Sequence, residues 1–144
     1  MINKNCIYCG KEFQSKNNRG SPRFCSSKCR FSNWIENNPD DWAKMQSRWR
    51  KKLKMKAYIN YGGNPPKCAC CGENIIEFLC LDHIDNNGSE HRKEISGRDI
   101  YEWIATNDYP SGFQILCRNC NWGKYVNKGT CPHKSRLLKM SNKR

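Results

Sequence analysis

The stretch IIEFLCLDHIDNNG, residues 75–88, joins an apolar run to an acidic residue, a histidine and a polar loop that ends in glycine. Its apolar part, IIEFLCL at 75–81, predicts a β-strand because it is rich in β-branched and aromatic residues. Asp82 and His83 follow that strand, and His83 is one of three histidines in the chain. This stretch alone allows two interpretations. One is a strand that ends in an ordinary turn, and the other is a metal-dependent active site.

Two close cysteine pairs flank this stretch. Cys68 and Cys71 lie in CACCG, and Cys117 and Cys120 lie in LCRNC, with 45 residues between the pairs. Each C-x2-C loop can bring two sulfurs to one ion, and the long interval can bring the two pairs together, as a tetrahedral zinc site requires. The spacing therefore predicts a structural zinc site made by these four cysteines.

The other cysteines near these pairs are harder to assign. Cys70 is a further possible zinc ligand in this segment, but only Cys68 and Cys71 have the usual C-x2-C spacing. Cys80, in the apolar run, is expected to be a small core residue. Cys131 precedes His133 in GTCPHK; these two could contribute to a metal site, although a surface turn is the preferred interpretation.

A second group of four cysteines lies near the N-terminus. CIYCGKEF and RFCSSKCR give the pattern C-x2-C-x15-C-x3-C, formed by Cys6, Cys9, Cys25 and Cys29. The N-terminus MINKNCIYCG has no apolar targeting region and no window approaches a membrane span, so a cytoplasmic location is expected, the host cytoplasm if the chain is phage-encoded. In a reducing compartment such pairs bind zinc more often than they form disulfides. We therefore expect a second structural zinc ion here.

The composition indicates a polyanionic partner. The 144 residues include 26 basic and 13 acidic side chains, a formal charge of +13, with 37% hydrophobic residues and a mean hydropathy of −0.94. Two zinc ions on eight thiolates would leave about +9. Such a charge favours nucleic acid over an anionic membrane surface, for which no lipidation signal is evident. A basic surface that is merely solvated is the alternative.

The segment between the cysteine groups predicts a basic amphipathic helix. Asn38 and Pro39 suit a helix start, and the sequence YGGNPP at 61–66 suits its end. An apolar stripe recurs at spacings of three and four, formed by Trp42, Met45, Trp49 and Leu53. Five cations of the helix are candidate phosphate contacts, against the alternative of a solvated face: Arg48, Arg50, Lys51, Lys52 and Lys54.

The remaining elements predict an α+β fold. A helix near 99–106, a strand at 113–116 and a short helix within 117–128 follow the first strand and a long loop. The expected domains are a four-cysteine zinc finger at 1–30, the basic linker helix at 31–62, a zinc-clamped two-strand-plus-helix unit at 63–133, and a basic tail at 134–144.

Three side chains of the last unit have the chemistry of a hydrolytic centre. Asp82 supplies a hard carboxylate oxygen, and the amide oxygen of Asn121 could complete a site for Mg²⁺ or Mn²⁺. His83 can accept a proton from an attacking water molecule. Since successive strand residues face opposite ways, Asp82 and His83 can serve one site only if the strand ends there.

These residues resemble the HNH, or ββα-metal, endonucleases in their zinc-clamped form, through CACCG, LDHIDNNG, EHRKE and YPSGFQILCRNCNWGK between residues 63 and 133. The resemblance implies hydrolysis of double-stranded DNA, with His83 as general base and a divalent ion on Asp82 and Asn121. Asn121 takes the place of the family's last histidine, as in an H-N-N variant. Gly112 stands where the middle asparagine is usual, and Gln114 is the candidate substitute.

Further residues and other functions are left open by the sequence. Arg92 and Lys124 are additional candidates for DNA contact, and His91 either approaches the scissile phosphate with Arg92 or is an ordinary loop residue. A zinc-containing nucleic-acid-binding protein without nuclease activity, or a zinc-braced protein-interaction module, are the alternative functions. A homodimer would explain double-strand cleavage. The sequence identifies neither the recognition sequence nor a self-complementary face.

Overall fold

The computed structural model describes residues 2–15 and 23–134 and divides the chain into two compact units, Met1–Arg48 and Trp49–Arg144. Within the described residues the fold is α+β, with two antiparallel two-stranded sheets and five α-helices. In chain order the elements are β1 (Ile2–Asn5), β2 (Glu12–Ser15), α1 (Ser27–Asn37), α2 (Pro39–Gly62), β3 (Leu79–His83), α3 (Gly88–Glu94), α4 (Ile100–Thr106), β4 (Phe113–Cys117) and α5 (Arg118–Val126). Most of the predicted basic tail, residues 135–144, lies outside the described residues.

The first unit has almost no hydrophobic core. Strands β1 and β2 pair in antiparallel register, and the Ser26 hydroxyl caps α1 by accepting a hydrogen bond from the Cys29 amide at 3.2 Å. Among the described residues of this unit only Cys6 and Ser15 are buried. Apolar burial is therefore too small to hold this unit together, and a metal ion bound by its cysteines would supply folding energy.

The second unit is built around the β3–β4 hairpin, whose two faces carry different residues. The pairs Leu79–Cys117, Leu81–Ile115 and His83–Phe113 point to one face, and the pairs Cys80–Leu116 and Asp82–Gln114 point to the other. The first face packs against α4 and the C-terminal half of α2, where Ile115 of β4 and Ile104 of α4 are fully buried. The second face lies against α5.

The C-terminal half of α2 belongs to the core of the second unit. The buried Tyr58 hydroxyl donates to the Leu79 carbonyl at 2.7 Å, and Ala57 is fully buried beside Ile104. A Cβ atom at Gly62 would lie 3.0 Å from the buried Ile115 side chain, so a larger residue there would force Ile115 to shift. The helix begins at Pro39 and ends at Gly62, which confirms both predicted boundaries.

The expected side-chain cap of this helix was wrong, and its apolar stripe is buried only in part. The Asn38 side chain donates to the Trp34 carbonyl at 2.8 Å, at the end of α1, instead of capping α2. The predicted apolar stripe is buried at Leu53, but Met45 and Trp49 are 49% and 53% exposed. The spacing shows which apolar residues share one side of the helix, but these residues are buried only where another part of the fold packs against that side.

The first strand was predicted to begin at residue 75, four residues before its start in the structure at Leu79. Ile76–Phe78 form a 3-10 turn, and the strand runs from Leu79 to His83. The cause is the register: Leu79 pairs with Cys117, where β4 ends, so no strand lies opposite residues 75–78. The predicted long loop also contains the helix α3, whose polar sequence buries only His91.

Candidate functional site

The second cysteine group is assembled by a tight turn and a helix start. Cys68 and Cys71 lie on a turn closed by the Gly72 amide, which donates to the Cys68 carbonyl at 3.0 Å with a φ of +80° at the glycine. Cys117 is the N-cap of α5, and its sulfur accepts a hydrogen bond from the Cys120 amide at 3.4 Å. The four sulfurs lie within 4.8 Å of one another, as the spacing predicted.

The first cysteine group is built in the same way. The Gly10 amide closes the turn on the Cys6 carbonyl at 2.8 Å, and Cys29 lies in the first turn of α1. The sulfur of Cys25 is 3.6 Å from that of Cys9 and 3.5 Å from that of Cys29. These separations are close to the edge of a tetrahedron of thiolates about 2.3 Å from zinc, which is about 3.8 Å. Both groups are therefore compatible with structural zinc.

The first cysteine of each turn is predisposed to be a thiolate. Burial raises the pKa of Cys68, but hydrogen bonds from the backbone amides of Cys71, Cys117 and Cys70 outweigh it and bring this pKa to about 7. In the first unit the backbone amides around Cys6 likewise outweigh burial and bring the pKa of that thiol to about 6. Because zinc binds the deprotonated sulfur, these amides favour the metal-binding form.

On the α5 face of the hairpin, Asp82 is buried and paired with a lysine. Its Oδ2 atom accepts hydrogen bonds from Gln114 Nε2 and from Lys124 Nζ, both at 2.7 Å. Lys124 Nζ also donates to the His83 carbonyl at 2.5 Å. The Asp82 and Lys124 side chains are 9% and 6% exposed, so this is a buried ion pair. Lys124 is consequently not an exposed cation, in contrast to the prediction that it contacts DNA.

On the opposite face, His83 lies in an aromatic environment with a second histidine. His83 Nε2 is 2.9 Å from His91 Nδ1, and the His83 ring lies 4.7 Å from Phe113 and the His91 ring 4.3 Å from Trp103, centroid to centroid. Burial lowers the pKa of His83, and the nearby His91 lowers it further. The His91 ring is buried and its Nε2 atom has no hydrogen-bond partner among the described residues. His91 is therefore positioned to orient His83, and it does not face an external phosphate.

The other ring nitrogen of His83 faces Gly88. A Cβ atom at position 88 would lie 3.0 Å from His83 Nδ1, so glycine avoids a close side-chain contact on this side of the ring. When His83 donates through Nε2 to His91, its Nδ1 atom carries the lone pair. In that tautomer Nδ1 is the nitrogen that can accept a proton.

Asn121 is a residue of α5 that contacts the hairpin, and it lies at the edge of an open groove. Its amide nitrogen donates to Cys80 Sγ at 3.4 Å, and the groove beside it has a volume of about 950 Å³. The groove is lined by Cys80, Arg118, Asn119, Asn121, Trp122 and Tyr125. Trp122 and Tyr125 are 65% and 73% exposed, with ring centroids 5.6 Å apart. The groove thus combines a cation with aromatic rings.

The predicted site residues thus form two clusters at one end of the hairpin. Asp82 joins Gln114 and Lys124 on one face, and His83 joins His91 on the other, as strand alternation requires. Both residues still belong to β3, where Asp82 lies opposite Gln114 and His83 lies opposite Phe113, and the strand ends after His83. No hydrogen bond of the described residues joins Asp82 to Asn121; Asn121 belongs to α5, and Asp82 contacts that helix through Lys124.

Gln114 and Gly112 make different contacts at the end of the hairpin. Gln114 lies directly opposite Asp82 in the hairpin and bonds to its carboxylate, not to the loop. The loop after His83 is instead tied to the Gly112 carbonyl, which accepts from the Ile84 amide at 2.9 Å. Gly112 has a φ of +101°, a conformation that favours glycine.

The basic residues of α2 are placed at the surface. Arg48, Arg50, Lys51 and Lys52 are exposed, and so is Arg92 on α3. Lys54 is partly buried, with its ammonium 5.1 Å from the centroid of the Tyr58 ring. Four of the five cations predicted on this helix are thus available to a polyanion.

Sequence reasoning missed the roles of Gly88 and Lys124. Gly88 was read only as the end of the polar loop, and its closeness to His83 Nδ1 depends on how α3 folds back. Lys124 lies three residues after Asn121, one helical turn along the same face of α5; this spacing could have indicated that it points to the hairpin.

The described part of the chain contains no helix with the length and hydrophobicity needed to cross a bilayer. Comparison of the chain with models of known protein families, with curated proteins and with solved structures finds no match.

Proposed function

We propose that the chain is a divalent-metal-dependent DNA endonuclease of the HNH type, which hydrolyses phosphodiester bonds with His83 as general base. The observation that carries the proposal is the arrangement of the His83 ring: Nε2 lies 2.9 Å from His91 Nδ1, and Nδ1 lies beside Gly88, which has no side chain. A histidine held in this way is a preorganised proton acceptor.

We assign the hard divalent ion to one free oxygen of Asp82 and one of Asn121. Asp82 uses Oδ2 for its bonds to Gln114 and Lys124, and Asn121 uses its amide nitrogen toward Cys80. The Oδ1 atoms of Asp82 and Asn121 are the oxygens that would hold Mg²⁺ or Mn²⁺. When bound, such an ion neutralises charge on the scissile phosphate and on the leaving 3′ oxygen.

The proton transfer is assigned to His83. Its Nδ1 atom takes the proton from water, the water oxygen forms a bond to phosphorus, and the bond from phosphorus to the 3′ oxygen breaks. Solvent returns a proton to the 3′ oxygen. The lowered pKa of His83 favours the neutral ring that this step requires.

Exposed cations and aromatic rings support DNA as the partner. Arg118, Trp122 and Tyr125 border the groove beside Asn121, and exposed cations of α2 add positive charge. Cations contact the backbone phosphates, and exposed aromatic rings stack on unpaired bases. Strongly positive formal charge, +13 for the whole chain, is consistent with this surface.

A second candidate function is nucleic-acid binding without cleavage. The observation that favours it is the buried Asp82–Lys124 pair, because the lysine ammonium already neutralises the carboxylate that would bind the metal. In that case the cysteine groups and the exposed cations would bind DNA, and no hydrolysis would occur.

Plasmid cleavage separates these functions. We expect supercoiled DNA to be nicked or linearised with Mg²⁺ or Mn²⁺, and not with EDTA. His83→Ala should abolish cleavage while DNA binding is retained, and Asp82→Asn should lose cleavage both through weaker metal affinity and through the uncompensated buried charge of Lys124. The matched control is Asp85→Asn, an exposed aspartate in the same loop. Binding without cleavage by the unmodified protein, with any divalent ion, would establish the second function instead.

A further inference from the structure

A third group of metal-type ligands shares one cysteine with the second cysteine group. It consists of Cys70, Cys120, Cys131 and His133, whose ligand atoms lie within 4.8 Å of one another. Cys120 is also one of the four sulfurs of the Cys68–Cys71–Cys117–Cys120 group. Its sulfur lies 3.3 Å from His133 Nδ1. A sulfur and an imidazole nitrogen on one zinc ion would be about 3.5 Å apart in tetrahedral geometry.

The chain positions these four ligands with three elements. Cys70 lies inside the turn that carries Cys68 and Cys71, and Cys120 lies in the first turn of α5. Cys131 and His133 come from the segment after α5. A Cβ atom at Gly123 would lie 3.0 Å from Pro132 Cδ and 3.6 Å from Cys131 Sγ. Glycine at this position of α5 therefore allows the C-terminal segment to close over Cys120.

The chemistry of the third group matches a closed structural site. It has three sulfurs and one imidazole nitrogen, a ligand set typical of structural zinc. Cys120 and Cys131 are buried, Cys70 is partly buried, and all three are free of disulfides. A second ion would bring two positive charges and recruit two more thiolates, Cys70 and Cys131, so it adds no net charge to the cluster.

We propose that Cys120 is a bridging thiolate and that the second unit holds a binuclear zinc centre. One ion is bound by Cys68, Cys71, Cys117 and Cys120, and the other by Cys70, Cys120, Cys131 and His133. The bridge explains why two groups of four ligands contain seven residues. This centre ties the segment after α5 to the turn that precedes β3, and it is independent of nuclease activity.

The first measurement is metal content with a test for the bridge. The purified full chain should contain three zinc ions, one for each group of ligands. After replacement by the NMR-active isotope of cadmium, two of the three resonances should be split by mutual coupling through the shared sulfur. Two zinc ions per chain, or three cadmium resonances without coupling, would overturn the proposal.

The second measurement removes ligands of the third group alone. The double variant Cys131→Ser, His133→Ala should bind one zinc ion fewer than the unmodified chain, and the cadmium coupling should disappear. Neither residue belongs to the Cys68–Cys71–Cys117–Cys120 group, so that ion should stay. Cys80→Ser is the matched control, because Cys80 lies in β3 outside all three groups; it should leave the zinc content unchanged. An unchanged zinc content in the double variant would contradict the proposal.

Discussion

The ammonium of Lys124 lies 2.7 Å from Oδ2 of Asp82, and both side chains are almost completely buried. The pair connects α5 to the end of β3, where the candidate catalytic residues lie. Removing one member of such a pair leaves an uncompensated buried charge, which costs about 3–5 kcal/mol. A divalent ion that binds Asp82 would therefore share this carboxylate with the ammonium of Lys124.

Replacement of Lys124 by methionine tests that relationship. We expect Lys124→Met to lower the free energy of unfolding of the zinc-loaded chain by about 3–5 kcal/mol when no Mn²⁺ is added. Mn²⁺ should then restore part of this loss, because the ion supplies a positive charge next to the Asp82 carboxylate in place of the lysine ammonium. Urea unfolding with and without Mn²⁺ measures both effects. Lys128→Met, at an exposed position, is the control. An equal response to Mn²⁺ in variant and unmodified chain would show that the ion does not bind at Asp82.

Substitution of Gly88 separates catalysis from stability. Gly88→Ala places a methyl group 3.0 Å from His83 Nδ1, so it should obstruct the water that reaches this nitrogen. Because Gly88 opens α3 without a positive φ, the fold should tolerate alanine, with a change of about 1 kcal/mol or less. Plasmid cleavage should therefore fall while thermal unfolding changes little. Ser89→Ala is the control; unaltered cleavage by Gly88→Ala would argue against Nδ1 as the proton acceptor.

Substitution of His91 should change the pH dependence of cleavage. The pKa of His83 is lowered first by burial and second by His91, and the base acts only in its neutral form. Cleavage should thus be lost as pH falls through the pKa of His83. His91→Phe removes the second cause, so the loss should begin at a higher pH, and the rate should fall about tenfold through the lost hydrogen bond. His91→Gln should retain part of the rate. A pH profile that is identical in His91→Phe would exclude this positioning role.

The exposed cations of α2 should govern the salt dependence of DNA binding. Each phosphate contact contributes about 0.9 to the slope of log affinity against log salt concentration. Replacing Arg50, Lys51 and Lys52 by glutamine should therefore weaken binding and reduce that slope. Fluorescence anisotropy with duplex DNA at several salt concentrations measures it.

The control for this experiment lies in the first unit. Replacing the exposed Lys11, Lys28 and Arg30 by glutamine removes the same number of charges from Met1–Arg48 and leaves α2 unchanged. An equal reduction of the slope in both triple variants would mean that net charge, rather than the α2 surface, accounts for binding.

The sequence allowed the local signals of the fold to be predicted, since these depend on neighbouring residues. The cysteine spacings identified both groups of four, and Pro39 and Gly62 marked the ends of α2. The start of β3 could not be predicted in this way. It depends on the position at which β4 ends at Cys117, and thus on a pairing between distant residues.

The candidate site was predictable only in part. Asp82 and His83 were identified from their place after an apolar run, and their assignment to opposite faces follows from strand alternation. The pairing of His83 with His91 could not be foreseen, because it requires α3 to fold back on the hairpin. The shared position of Cys120 likewise arises from the return of the chain after α5.

The packing of α2 limits how this protein can be divided. A fragment that begins at residue 63, where the cysteine pattern suggests a natural boundary, would lack Leu53, Ala57 and Tyr58 from the core of the second unit. It would leave Leu79 and Ile115 exposed to water and the Leu79 carbonyl without its tyrosine donor. The candidate nuclease segment is therefore not a portable module: a fusion or a transplant has to carry the helix with it, from Trp49 onward.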